Sequence, residues 1–267
     1  MSVRLQKIKV PFGAHHVMAF AFFPAPDQVL RPALALMTHG YTSHKGSILN
    51  WAVRLAEEGM ASLLFDLPGH YLGSFEEVDS TEEFQKSAHL LFPAAHKILL
   101  EKLKTERPLD YDLAQNGPLV LCGHSLGALL ALKALNLKEW QETDVQAICV
   151  GLGLPPQGKT HLFHSAFYKS TLAIRGQLVS EHLDTDIIFP WINEEKQKLV
   201  LKKARAHFIT GEDDLVVGSD GTERFVEQLN PAENQLSFEK PTKLPHHQPE
   251  LAAGHIKKVL KDQGYFQ

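Results

Sequence analysis

The stretch Gly123-His124-Ser125-Leu126-Gly127 decides the fold that this sequence predicts. Residues 118–122 before it are apolar and predict a short strand, and residues 126–135 after it are rich in Ala and Leu and predict a buried helix. A serine between a strand and a helix adopts a strained backbone conformation that lifts its hydroxyl clear of the sheet, and flanking glycines are needed because a Cβ there would strike a neighbouring element. The pattern therefore predicts a nucleophile elbow with Ser125 as its reactive residue.

Short apolar segments elsewhere in the chain predict a mainly parallel sheet. Several of them are continuously apolar, as is typical of strands that are covered on both faces. Segments with helical periodicity separate them, which predicts an α/β architecture with helices on both faces of the sheet. Besides residues 118–122, the predicted strands are 33–38, 61–65, 145–150, 204–210 and 235–238.

The two ends of the chain predict an antiparallel edge and a closing helix. Residues 3–10 and 15–23 are extended runs joined by a predicted turn at Pro11-Phe12-Gly13, which indicates a hairpin at a sheet edge. A helix is expected to begin at Pro249.

Two further stretches between the strands predict helices. Ser80 and Glu83 have the spacing of a capping box and predict a helix that reaches Lys104, bent or interrupted at Pro93. The long segment 152–203 contains helical spacing, and Pro190 could open a helix that runs through Val200. We therefore predict a core of residues 1–151 and 204–267 with an inserted helical cap at 152–203.

Composition excludes several classes of function. The chain has 267 residues, with 27 Lys and Arg against 31 Asp and Glu and no dense basic run, so we expect no binding of nucleic acid or of a membrane surface. No secretory signal or apolar run of membrane-spanning length is visible.

Cys122 and Cys149 fall in predicted interior strands, where free thiols act as small apolar groups, so we expect a reducing compartment, the cytoplasm. His161 and His164 could pair on a metal ion, but no third ligand is near, and we expect neither a metal nor a cofactor.

The order of these elements resembles the α/β-hydrolase superfamily over nearly the whole chain. The residues that carry the resemblance are His39-Gly40 after the third strand, 66–70 (DLPGH) after the fourth, 123–127 after the fifth, and the turn 211–214 (GEDD), which looks like the acid-bearing turn of the family. The nearest branches are the esterases and the serine-aminopeptidase-like proteins with a small cap. The resemblance implies an α/β-hydrolase fold with a mainly parallel sheet of eight strands.

The resemblance also implies a catalytic triad in the order serine, acid, histidine. Asp214 has the spacing expected of the acid, with Asp213 as the alternative. The base would lie in the segment Leu244 to Pro249, where His247 is preferred because a His-x-Pro pattern follows it and His246 remains open.

A serine, an imidazole and a carboxylate are the groups that nucleophilic acyl transfer needs, because a neutral hydroxyl attacks only when a base takes its proton. By resemblance, the oxyanion hole would be formed by the backbone N–H groups of Leu126 and Tyr41.

We therefore expect a serine hydrolase that cleaves a carboxylic ester of a small acyl substrate through an acyl-enzyme on Ser125, as a carboxylesterase does. Thioester, amide and carbon–carbon bond cleavage use the same groups and stay open. A non-catalytic binding scaffold with this fold is a third hypothesis, and it predicts at least one broken position in the triad. The oligomeric state is not predicted.

Overall fold

The computed structural model of the protein describes residues 3–70, 77–157 and 165–266. In these residues eight strands form one sheet with the order β1-β2-β4-β3-β5-β6-β7-β8. The strands are β1 (Arg4–Phe12), β2 (His15–Phe23), β3 (Leu34–Thr38), β4 (Ala61–Phe65), β5 (Leu119–His124), β6 (Val145–Val150), β7 (Arg205–Ile209) and β8 (Gln235–Glu239). The helices are α1 (Leu49–Glu57), α2 (Thr81–Ser87), α3 (Leu91–Glu106), α4 (Tyr111–Gln115), α5 (Leu126–Leu135), α6 (Ala166–Gly176), α7 (Thr185–Lys198), α8 (Gly221–Gln228) and α9 (Ala253–Asp262).

The sheet is parallel from β4 through β3 to β8 and antiparallel only at its N-terminal side, where β1 pairs with β2 and β2 with β4. The predicted edge hairpin is confirmed, but its turn was placed too early. Pro11 and Phe12 belong to β1, and the chain reverses at Gly13, whose φ is +54°. An edge strand tolerates Pro11 because its missing N–H can face away from the neighbouring strand.

Both faces of the sheet are covered by helices, which confirms the α/β-hydrolase fold class. One face packs against α1 and α9, and the other packs against α2, α3, α5 and α8. Every residue of β3, β4 and β5 is buried, which explains why these strands have a largely apolar sequence. The indole Nε1 of Trp51 in α1 donates to the carbonyl of Pro249 at 2.8 Å and so joins α1 to the segment before α9.

The helix predicted from residue 80 begins as expected and is interrupted at a different place. The hydroxyl of Ser80 accepts from the backbone N–H of Glu83 at 3.1 Å, which confirms the cap. The interruption is the 3₁₀ turn Ala88–Leu90, whereas Pro93 lies in the first turn of α3, where its missing N–H has no intrahelical partner to lose.

The segment between β6 and β7 contains α6 and α7. The helix predicted to open at Pro190 begins instead at Thr185, because the carboxylate of Asp184 caps it by accepting from the N–H of Asp186 at 2.9 Å. Pro190 lies inside α7. The division into a core and a cap at 152–203 stays a prediction. Within the described ranges, no helix has both the length and the apolar character required to cross a bilayer.

Candidate active site

Ser125 lies between β5 and α5 in a strained backbone conformation, with φ of 50° and ψ of −110°. The glycines on either side are required by close packing. A Cβ on Gly123 would lie 2.2 Å from the backbone of Gly127, and one on Gly127 would lie 2.5 Å from the carbonyl oxygen of His39. The side chain of Ser125 lines a cavity and is partly exposed. The hydroxyl is therefore held at the carboxyl end of the sheet and is accessible to a ligand.

His246 is the histidine that lies beside this hydroxyl. The Oγ of Ser125 donates to Nε2 of His246 at 3.2 Å, and Nδ1 of the same ring donates to Oδ2 of Asp214 at 2.8 Å. The preference for His247 is thus corrected. The chain leaves β8 and returns to the end of β5. In this loop the imidazole of His246 faces Ser125, and the imidazole of His247 faces Tyr168 in α6.

His247 contacts α6 instead of Ser125. Its Nε2 is hydrogen-bonded to the hydroxyl of Tyr168 at 2.8 Å, and the two rings are stacked. Burial is the main reason that the pKa of His247 falls to about 4, with the neighbouring His246 and Arg175 acting in the same direction. His247 is therefore neutral at physiological pH and fixes α6 to the loop that carries His246.

Asp214 is nearly inaccessible to solvent, with 2 % of its surface exposed. Burial raises its pKa, but the electrostatic interaction and hydrogen bond with His246 and the N–H groups of Val217 and Val216 outweigh this effect, so the pKa of Asp214 lies below its usual value. The carboxylate therefore remains ionised and fixes the tautomer of His246 that leaves Nε2 free to accept a proton.

Asp213, the alternative acid, has a different position. Its side chain is exposed, and its Oδ1 accepts from the N–H of Leu244 at 2.9 Å. Gly211 approaches the same loop so closely that a Cβ would lie 2.1 Å from the carbonyl oxygen of Leu244. These contacts hold the histidine loop against the acid turn.

Two backbone N–H groups near Ser125 have no acceptor among the described residues. In the described residues neither Leu126, at the start of α5, nor Tyr41, after β3, donates its N–H to a backbone or side-chain oxygen. Gly40 brings the second group close, because a Cβ at this residue would lie 3.2 Å from the Cβ of Ser125. Free N–H groups at such a place can bind an oxyanion.

The loop that carries Tyr41 is fixed by buried polar contacts that the sequence did not reveal. Nδ1 of His39 donates to the carbonyl of Gly40 at 2.8 Å, and Nε2 accepts from the N–H of Leu67 at 2.9 Å. Lys45 forms an ion pair with buried Asp66, whose Oδ1 also accepts from the N–H of Lys45 at 2.7 Å. These partners come from turns that follow neighbouring strands, so only the folded chain brings them together.

A cavity of about 740 Å³ opens above Ser125. Its floor is formed by the ends of the strands and its far wall by α6 and α7. Leu172, Phe189 and Ile192 give this wall apolar character, and Arg175 and Lys196 add two basic groups that sequence reasoning missed. His161 and His164, which were weighed as a metal pair, lie outside the described residues.

Comparison with known proteins gives a family match and many matches of fold. Residues 31–202 match the family model described as serine aminopeptidase, S33. No curated protein sequence matches the chain. A solved structure of a soluble variant of monoglyceride lipase from Saccharomyces cerevisiae, in complex with a substrate analogue, has 16% identity and a TM-score of 0.65, with 96% of this chain and 94% of that chain covered. An esterase from Pyrococcus furiosus has 17% identity and a TM-score of 0.57, covering 97% and 92%. The thioesterase domain from the curacin biosynthetic pathway has 15% identity and a TM-score of 0.57, covering 97% and 99%.

Proposed function

The chain belongs to the serine aminopeptidase S33 family of hydrolases, and from this membership we propose that it is a serine hydrolase that cleaves carboxylic esters through an acyl-enzyme on Ser125. The single observation that carries the proposal is the continuous hydrogen-bonded series from Ser125 through His246 to Asp214. The esterase and lipase among the proteins of similar fold agree with an ester substrate.

In the acylation step, Oγ of Ser125 attacks the ester carbonyl while Nε2 of His246 takes the hydroxyl proton. Asp214 accepts the hydrogen bond from Nδ1 and stabilises the imidazolium that forms. The tetrahedral oxyanion binds to the N–H groups of Leu126 and Tyr41, each of which contributes about a hundredfold or more in rate. The bond to the alcohol oxygen then breaks, and His246 returns its proton to the departing alcohol.

In the deacylation step, water takes the place of the alcohol. His246 accepts a proton from this water as it attacks the acyl carbon, and the same N–H groups hold the second oxyanion. Collapse of the intermediate releases the carboxylic acid and restores the hydroxyl of Ser125. The cavity of about 740 Å³ has room for both halves of a small ester.

The hypothesis of a non-catalytic scaffold is not favoured, because it predicts a broken position and each of the three groups has its partner within 3.2 Å. Thioesters use the same chemistry and remain the second substrate class to test.

The test is hydrolysis of short-chain 4-nitrophenyl esters together with labelling by a fluorophosphonate probe. We expect turnover in the parent protein and an adduct on Ser125. Ser125→Ala should abolish both, with a melting temperature close to that of the parent because the hydroxyl is not part of the core. An absence of turnover and of the adduct in the folded parent protein would end this proposal.

The two histidines provide a matched pair of variants. His246→Ala should lower kcat by about 10⁴-fold or more, because it removes the base. His247→Ala removes an imidazole from the adjacent position and should cost about a hundredfold at most, through misplacement of the loop. A larger loss of kcat in His247→Ala than in His246→Ala would show that His246 is not the base.

A further inference from the structure

The cavity above Ser125 carries more positive than negative charge. Arg175 in the last turn of α6 and Lys196 in the last turn of α7 both line it, whereas Asp186 is the one carboxylate found among its described lining residues. The whole chain has a formal net charge of −4. The basic character of the cavity therefore does not follow from the composition of the protein.

The ammonium group of Lys196 has more N–H donors than its one hydrogen bond to the protein uses. Its Nζ donates to the carbonyl of Gly153 at 2.7 Å, and no carboxylate of the described chain pairs with it. An ammonium has three N–H groups, so two remain for a ligand. Burial lowers the pKa of Lys196 to about 8, against the opposing effect of Asp214, so most of the group is still charged at pH 7.

Arg175 is a second cation without an ion-pair partner in the part of the chain that the structure describes. Its charge acts on His247, next to the candidate base. Burial is the main cause of the low pKa of His247, and Arg175 contributes to it, which puts the guanidinium near the histidine loop. Its planar N–H groups match the geometry of a carboxylate.

Asp186 does not neutralise Lys196 at close range. It lies in the first turn of α7, and its separation from Lys196 along the helix axis is about 15 Å at roughly 1.5 Å per residue. Its side chain is exposed. The negative charge is thus at the other end of α7.

We propose that Arg175 and Lys196, on the two helices that wall this cavity, make it a subsite that attracts a carboxylate, so that the protein prefers esters whose acyl or alcohol half ends in an anionic group. This inference rests on the proposed ester hydrolysis. A partly buried ammonium that has no carboxylate in direct contact is unfavourable, and the carboxylate of a substrate supplies such a contact. A mere tether of α7 to the core needs only the bond to Gly153. The apolar surface of Leu172 and Phe189 contacts the chain between the ester and the anionic end.

The test compares substrates that differ only in charge. For the acyl half, mono-4-nitrophenyl adipate is compared with 4-nitrophenyl 6-methylheptanoate, in which an isopropyl group replaces the carboxylate. For the alcohol half, 4-(hexanoyloxy)benzoate is compared with its methyl ester. The readout is the ratio of kcat/KM for the anionic substrate to that for the neutral one.

We expect this ratio to exceed one clearly in at least one pair, and to fall about tenfold in Arg175→Gln and in Lys196→Gln, since each removes a charged hydrogen bond. The matched control is Lys198→Gln. Lys198 is on the same helix, is largely exposed and pairs with Glu194, so the same change of charge should leave the ratio unaltered.

The inference is overturned if neither pair favours the anion, or if the preference persists in both variants. If no ester is hydrolysed at all, it is the proposed function that fails. The subsite is then tested by calorimetric titration of Ser125→Ala with mono-4-nitrophenyl adipate. Binding that weakens in the Arg175→Gln and Lys196→Gln backgrounds supports the subsite, and absence of binding refutes it.

Discussion

Acidification is expected to destabilise the fold through histidines that are buried in the uncharged form, and His70 is the clearest case. Its ring is fully buried, stacks on Phe84 with ring centres 6.0 Å apart, and packs edge-on against Tyr41 at 5.7 Å. Nδ1 donates to the carbonyl of Pro68 at 2.9 Å, whereas Nε2 has no partner among the described atoms. Burial, with the added effect of His39, lowers the pKa of His70 to about 3.

The sign and size of the effect follow from the two pKa values. In the unfolded chain the histidine titrates near 6.5, so the unfolded state takes up the proton first as the pH falls. The stabilisation is complete above about pH 6.5 and is lost progressively from there towards pH 3. At about 1.4 kcal/mol per pH unit, the loss between pH 7.5 and 5.5 is about 1.4 kcal/mol for this one side chain. Carboxylates contribute little in this interval because they titrate at lower pH.

The assay is the free energy of urea unfolding at pH 7.5 and 5.5 for the parent protein and for His70→Phe. Phenylalanine keeps the ring contacts but loses the bond to Pro68, so the variant starts about 1 kcal/mol less stable. Its loss of stability on acidification should nevertheless be about 1.4 kcal/mol smaller than in the parent. His16→Asn, at an exposed position, controls for the removal of a histidine. Equal losses in the parent and in His70→Phe would refute the reasoning.

Three further predictions concern the packing around the site. Gly127→Ala should destabilise the protein by about 2 kcal/mol or more, because the new Cβ would lie 2.5 Å from a backbone carbonyl oxygen; a shift below about 0.5 kcal/mol in urea unfolding would contradict this packing. Lys45→Met should cost about 3–5 kcal/mol because it leaves buried Asp66 unpaired, and adding Asp66→Asn should recover part of the loss in the same assay. Tyr168→Phe removes the bond to His247 but keeps the ring, so we expect about 1 kcal/mol of lost stability, and an unchanged free energy of unfolding would show that the bond contributes nothing.

The sequence predicted the elbow well because its constraints are local. Gly123 and Gly127 are needed for contacts within one strand–turn–helix unit, and a pentapeptide carries that information. The choice between His246 and His247 is different, because both have the same chemistry and adjacent positions. It depends on how the loop is held by Asp213, which a sequence pattern cannot show.

The helices of the predicted cap illustrate a conflict between two local signals. Pro190 is typical of a first helical turn, and Asp184 is typical of an N-cap. The N-cap residue Asp184 determines where α7 begins, and the helix contains Pro190 in its interior. The basic pair Arg175 and Lys196 was not predictable, since two separate helices bring these side chains to one cavity.

For the proposed ester hydrolysis, the bond between Tyr168 and His247 bears on the size of the molecule that the cavity can admit. If α6 swings outward to admit a bulky molecule, this bond breaks and the neighbouring imidazole, His246, loses part of its support. A slim ester that enters beneath a stationary α6 meets aligned reacting groups, whereas a bulky one enters a site that must realign before each turnover. Discrimination against large molecules then falls on kcat more than on KM.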